Sequence, residues 1–259
     1  MPSSKSFLTS LVFLLVLRLQ AQSPDDFLLQ IGSPDSSEYS SAIISDENED
    51  LYLAAIVFHK IRRNQRLKLS KISKSGQVLW SRLYPDKERS IFSIVKQSDK
   101  SLILAGSVQD SAGQYLAEGS ALLVKTDARG NPLWEKIYKF GDRGSIYELF
   151  QTDGGYLLQG SGFTDRSPGK ELEIFLYKTD FEGNVLWKKV FQMDEARGEL
   201  LMTPLKNGYF FCVLENHMTP TRLFTITPAG DILHEIKVPD TDITSVMEKE
   251  DGQIILFQT

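Results

Sequence analysis

The chain is almost without cysteine. Cys212 is the single one in 259 residues, which excludes an internal disulfide and a thiolate zinc site. Its setting, Tyr209 to Leu214, is apolar, the surroundings of a buried and inert thiol. Histidine is scarce too: His59, His217 and His234 stand apart, with no ligand spacing for zinc. Apart from the short basic loop His59 to Gln65, no block of Lys and Arg stands out. The formal net charge is −5, and phosphate binding needs clustered cations, so nucleic acid is excluded as the natural partner. Sustained helical periodicity is missing. Beyond the N-terminus, so is any apolar run long enough to span a membrane.

The N-terminal segment reads as a targeting signal. Lys5 gives a short positive start, Phe7 to Leu17 is apolar but short, and Ala21 is a small residue suited to cleavage. Residues 1–21 are therefore expected to be a signal peptide and 22–259 one β domain, exported to the cell surface, the medium or the periplasm. Removal of 1–21 leaves 27 basic and 34 acidic residues, a net charge of −7.

What the chain does have is a repeat. Ile174 to Lys188 reads strand, tight turn, strand; Leu67 to Arg82, Leu122 to Lys136 and Leu223 to Ile236 repeat it. Trp80, Trp134 and Trp187 are 54 and 53 residues apart, and His234 takes the same place 47 further on. Gly76, Gly130, Gly183 and Gly230 march with them. Between these lie second hairpins, turning at Glu49-Asp50, Asp99-Lys100, Asp153-Gly154, Asn207-Gly208 and Asp251-Gly252. Asn-Gly and Asp-Gly between apolar runs favour hairpins because they accept positive φ. Two hairpins per period of about 50 residues are the pattern of a four-stranded propeller blade.

The expected fold is all-β: a propeller of four-stranded antiparallel blades, about five of them present, in a partial or open ring. With strands A to D counted outward from the axis, the Trp hairpin is C to D. Strands A and B are then Ser90–Gln97 with Leu102–Val108, Ser145–Thr152 with Tyr156–Phe163, and Glu199–Pro204 with Tyr209–Glu215. Phe27 to Ile31 reads as an opening D strand, of the kind that closes a ring and hides its edges. The chain stops after a B strand, where every earlier copy goes on to a C strand. This predicts either a segment of a longer propeller or a five-bladed ring with one three-stranded blade.

At Lys125 to Trp134 and Gln151 to Gly160, the chain resembles the secreted bacterial β-propeller repeats called quinoprotein-like or delta-60 repeats, a group often linked to type IX secretion. The resemblance implies the fold and export, and implies no activity. His234, Pro228 and Ala229 depart from the pattern in the fourth copy.

Nothing marks a catalytic, cofactor or metal site. The Trp series suits packing between blades. Asp127 and Asp180 suit turns capped by their own carboxylates. Asp46 to Asp50 lacks the ligand order of a calcium loop. One constellation stands out: Arg89, Arg143 and Arg197 are each 54 residues apart, each with an acid just before it (Glu88, Asp142, Glu195). Placed in the D-to-A loops, they would rim one face of the axis, either as repeated salt bridges or as a ring of guanidinium groups for a carboxylate, sulfate or phosphate. The expectation is a non-enzymatic binding or scaffold module for a protein or glycan partner. The alternative is a polysaccharide hydrolase or lyase with two carboxylates in the central funnel, for which Asp142 and Asp165 are the candidates on that face.

Overall fold

The computed structural model describes residues 36–59, 65–84, 88–109, 121–139, 142–163, 172–193, 198–216, 219–239 and 243–258. The proposed strand Phe27 to Ile31 lies outside them. The first sheet holds β1 (Ser36–Ser45), β2 (Leu51–His59), β3 (Gln65–Ile72) and β4 (Val78–Tyr84). The second holds β5 (Glu88–Lys96), β6 (Leu102–Gln109), β7 (Ala121–Thr126) and β8 (Pro132–Tyr138). The third holds β9 (Asp142–Thr152), β10 (Gly155–Phe163), β11 (Leu172–Thr179) and β12 (Val185–Met193). The fourth holds β13 (Glu199–Pro204), β14 (Phe210–Asn216), β15 (Thr219–Ile226) and β16 (Ile232–Val238). The last is a hairpin, β17 (Ile243–Glu248) with β18 (Ile254–Gln258). Each full sheet is an antiparallel meander in chain order. This is the arrangement of propeller blades, in an open or partial ring.

The first strands converge: β1 lies beside β5, β5 beside β9, and β13 beside β17. They form the inner edge of the fan. Strand alternation explains how one sheet serves two interfaces, because successive side chains point to opposite faces. Leu102 and Leu104 of β6 join the core shared with the first sheet, while Ile103 and Ala105 join the core shared with the third. In β11, Phe175 and Tyr177 face the second sheet, and Ile174 and Leu176 face the fourth. Both faces are apolar, which is why these runs read as continuous Leu, Ile and Val. Burial of each such side chain is worth roughly 1.5–3 kcal/mol.

The tryptophans lock the outer strands. A Cβ added to Gly130 would lie 3.2 Å from the Trp80 ring, one on Gly183 3.3 Å from Trp134, and one on Gly230 3.1 Å from Trp187. Each Trp thus packs on the turn glycine of the following sheet, between blades as the repeat predicts. A tyrosine hydroxyl closes the first two contacts. Tyr84 Oη donates to Gly130 O at 2.6 Å and Tyr138 Oη to Gly183 O at 2.8 Å. Burial pushes the Tyr84 phenol up to about 12, so it remains a donor at any ordinary pH.

Candidate functional site

The A-to-B and C-to-D turns lie at one end of the strands, and side chains pin them. Asp127 Oδ1 accepts from the amides of Arg129 and Asn131, both at 2.8 Å. Asp180 does the same for Glu182 and Asn184 at 3.0 and 2.7 Å. Burial opposes ionisation of these carboxylates, but their hydrogen bonds outweigh it and hold them below the usual range. They are structural caps, as the turn reading expects. In the first sheet Lys71 joins Asp50 at 2.9 Å and Asp46 at 3.2 Å. In the second, Lys125 meets Asp99 at 3.5 Å.

The opposite end carries the connections 60–64, 85–87, 110–120, 140–141, 164–171, 194–197, 217–218 and 240–242, all outside the described residues. Of the three arginines, Arg89 is described in full. It is the second residue of β5, so it sits in the inner strand and not in the preceding loop. The residue is buried at 5% exposure. Its guanidinium runs outward between the first two sheets, 2.7 Å from Glu135 of β8 and 5.9 Å from the centre of the Tyr84 ring. Arg143 is the second residue of β9; Arg197 and Asp165 lie outside the described residues. The position equivalent to Glu135 is Lys188 in the third sheet, so the Arg89 pairing has no carboxylate with which to recur there.

Sequence reasoning missed the bulges of the inner strands. Register shifts at Ser40/Ala42, Ile91/Ser93 and Gln159/Gly160 leave one extra residue in β1, β5 and β9. In β5 and β9 that residue is aromatic: Phe92 and Tyr147 face each other with ring centres 5.4 Å apart. Glycines opposite make room. A Cβ on Gly106 would lie 1.9 Å from Ser90 O, and one on Gly160 2.0 Å from Ser145 O. The signal was present as Ser90-Ile91-Phe92 and Ser145-Ile146-Tyr147, paired with Gly106-Ser107 and Gly160-Ser161.

The third and fourth sheets meet differently from the others. Phe191 stands where Tyr84 and Tyr138 donate their hydroxyls, and here Trp187 Nε1 donates to Pro228 O at 3.0 Å. Lys178, equivalent to Lys71 and Lys125, is buried and has no carboxylate bonded to it among the described residues. It donates to Thr152 Oγ1 and to Asp153 O, and burial pulls its ammonium below the ordinary lysine value despite the charge of Asp153. On β9, Glu148 Oε2 has no hydrogen-bond partner among the described residues. Burial pushes the Glu148 carboxyl above its usual range, and the charge of Glu199 at the start of β13 adds to this. At the turn end the same seam opens into a cavity of about 580 Å3, between the β9–β10 turn on one side and the β13–β14 turn with Pro228 on the other.

Cys212 is fully buried and burial raises its thiol far above the ordinary value. Among the described residues, no group of three or more His, Cys, Asp or Glu is disposed to hold a metal, and no helix is long and apolar enough to cross a membrane.

No family model matches the chain, and no curated protein matches it. Among solved structures it is similar to MPT-4, a mannose phosphorylase from Leishmania mexicana, with TM-score 0.45 and 12% identity over 87% of this chain and 80% of that one. It is also similar to BBS1N in its complex with ARL6DN, with TM-score 0.34 and 8% identity over 85% of this chain and 88% of that one. A Synechocystis apocarotenoid oxygenase gives TM-score 0.32 and 10% identity over 81% of this chain and 61% of that one. Likenesses this distant carry no argument about activity.

Proposed function

We propose that the protein is an exported β-propeller that binds a protein or glycan partner and catalyses nothing, presenting the loops opposite its tight turns. The observation that supports this is the contrast between the two ends of the strands. The turns of the first hairpins run five residues at 46–50, 97–101, 205–209 and 249–253, with 153–154 the exception among the described residues. The B-to-C connections do not: they run five residues (60–64), eleven (110–120), eight (164–171) and two (217–218). A constant scaffold carrying variable loops is the usual layout of a binding face. Arg143 opens β9 at that end, and we assign it, together with Arg197, to an anionic group of the partner. The double variant Arg143→Ala/Arg197→Ala should lose binding to sulfated or carboxylated glycans on an array while keeping its Tm. A lowered Tm with unchanged binding would make these residues structural.

One observation favours a second reading, a hydrolase or lyase acting on polysaccharide. Glu148 and Glu199 lie on the inner strands of neighbouring sheets, and their environments differ: Glu148 is half-sheltered and raised, whereas Glu199 is exposed. A proton-holding acid beside a solvated carboxylate is the division of labour glycoside cleavage needs. Release of reducing ends from a polysaccharide panel, abolished by Glu148→Gln, would establish it; no release from any polysaccharide would remove it.

A further inference from the structure

The cavity between the third and fourth sheets is on the turn end, away from the loops proposed above. We propose that it is a second binding site, for a neutral sugar. Its size, about 580 Å3, is that of small-molecule pockets, which run from about 300 to 1,000 Å3. It lies at the seam where the repeat breaks its own rules. Phe191 has lost the hydroxyl that ties the other seams, and the β9–β10 turn, Thr152 to Gly155, is one residue shorter than its counterpart Gln97 to Ser101. The shorter turn lines the gap directly.

The lining has unspent hydrogen-bonding capacity of both kinds. The Asp153 carboxylate is exposed and accepts no hydrogen bond among the described residues; the nearby Lys178 bonds to the Asp153 backbone carbonyl instead. Asn207 uses Oδ1 to cap Tyr209 N at 3.0 Å, and its amide group has no partner among the described residues. Gln151 turns its side chain the other way, accepting from Gln97 of the second sheet at 3.1 Å through Oε1, and offers the cavity no amide. One wall is apolar, with the partly open ring of Tyr209 beside Phe210 and Pro228. Adjacent sugar hydroxyls each donate and accept. A carboxylate takes the donated hydrogens, an amide group serves the oxygens, and the C–H face of the ring packs on an aromatic. An anion does not fit, because the only open charge on the lining is Asp153. Glu148 faces the same seam nearer the loop end and has no part in this site.

The test uses the whole protein with neutral disaccharides: maltose, cellobiose, mannobiose and N,N′-diacetylchitobiose. Saturation-transfer NMR and calorimetry should find at least one bound. Asp153→Asn and Tyr209→Ala should each weaken that binding roughly tenfold or more, the scale of a lost hydrogen-bonding pair or stacking face. Asp99→Asn, the equivalent turn position in the second sheet, should leave it unchanged. Asp153 is exposed, so its variant keeps the fold even if Tyr209→Ala does not. Binding of none of the four sugars, or binding that survives Asp153→Asn with the Tm intact, overturns the site. Neither result touches the Arg143/Arg197 experiment, which reads acidic glycans at the other end.

Discussion

Single residues decide whether the inner edge can form. Gly106 has no freedom to grow: its Cβ would stand 1.9 Å from Ser90 O and 2.8 Å from the carbonyl carbon, both backbone atoms. Gly106→Ala should cost about 3 kcal/mol in urea unfolding, the upper end of overpacking penalties. Gly154 is the contrast. Nothing lies within 4 Å of its Cβ position, and only its φ of +74° resists a side chain, so Gly154→Ala should cost about 1 kcal/mol. Equal losses would refute the steric account. Glu148 gives a pH signature. Its folded pKa is raised above the ordinary glutamate value of 4.5, so the folded state binds its proton more tightly than the unfolded chain. The stability this gives is fully present below pH 4.5 and is lost as pH rises through the folded value. Glu148→Gln keeps the neutral form at every pH. Its urea midpoint should exceed that of the wild type at pH 8, with the gap closing toward pH 4.5. A gap that widens on acidification would contradict the sign. Glu148 could not be singled out from the sequence, since the bulge that places it next to the fourth sheet depends on pairing with β10.

At the scale of the element, the repeating unit is a hairpin locked to its neighbour by Trp, Gly and Tyr. That unit was legible because it is local. The Trp-bearing strand, its turn glycine and the Asp cap fall within ten residues of one another. The spacing of copies then gave the blades, and β13 falls where the sequence placed it, at Glu199–Pro204. The Arg89–Glu135 pair was not legible. The two residues are 46 positions apart and meet because an inner strand sends its side chain outward between two sheets. The lock itself can be measured. Tyr138→Phe removes the bond to Gly183 O and leaves a buried carbonyl without that donor, which should cost about 1–2 kcal/mol. Phe191 already lacks the hydroxyl, so the conservative variant Phe191→Leu should cost only what its lost packing costs, under about 1.5 kcal/mol. A Tyr138→Phe variant as stable as the wild type would mean that the hydroxyl contributes nothing beyond its ring.

Across the whole molecule, stability should follow the number of neighbours a sheet has. The second and third sheets are covered on both faces by large cores. The fourth and the last hairpin share a core whose buried members among the described residues are Val213, Leu223 and Ile243. Met247 and Phe257, on the far face of that hairpin, are each 46% exposed. Repeat proteins distribute stability through nearest-neighbour interfaces, so a blade with one weak interface opens first. Hydrogen exchange read by mass spectrometry should therefore show a gradient. Amides of β6, β7, β10 and β11 should exchange slowest, at the rate of global unfolding, and those of β17 and β18 fastest. Leu104→Ala, in the core between the first two sheets, should lower global stability by about 2–5 kcal/mol and speed exchange everywhere. Leu256→Ala, in the last core, should speed exchange in β17 and β18 and leave β6 and β7 as they were. If instead β17 and β18 are protected as strongly as β6, a further surface must cover the hairpin's open face, and the apolar pair Met247 and Phe257 marks where it would lie.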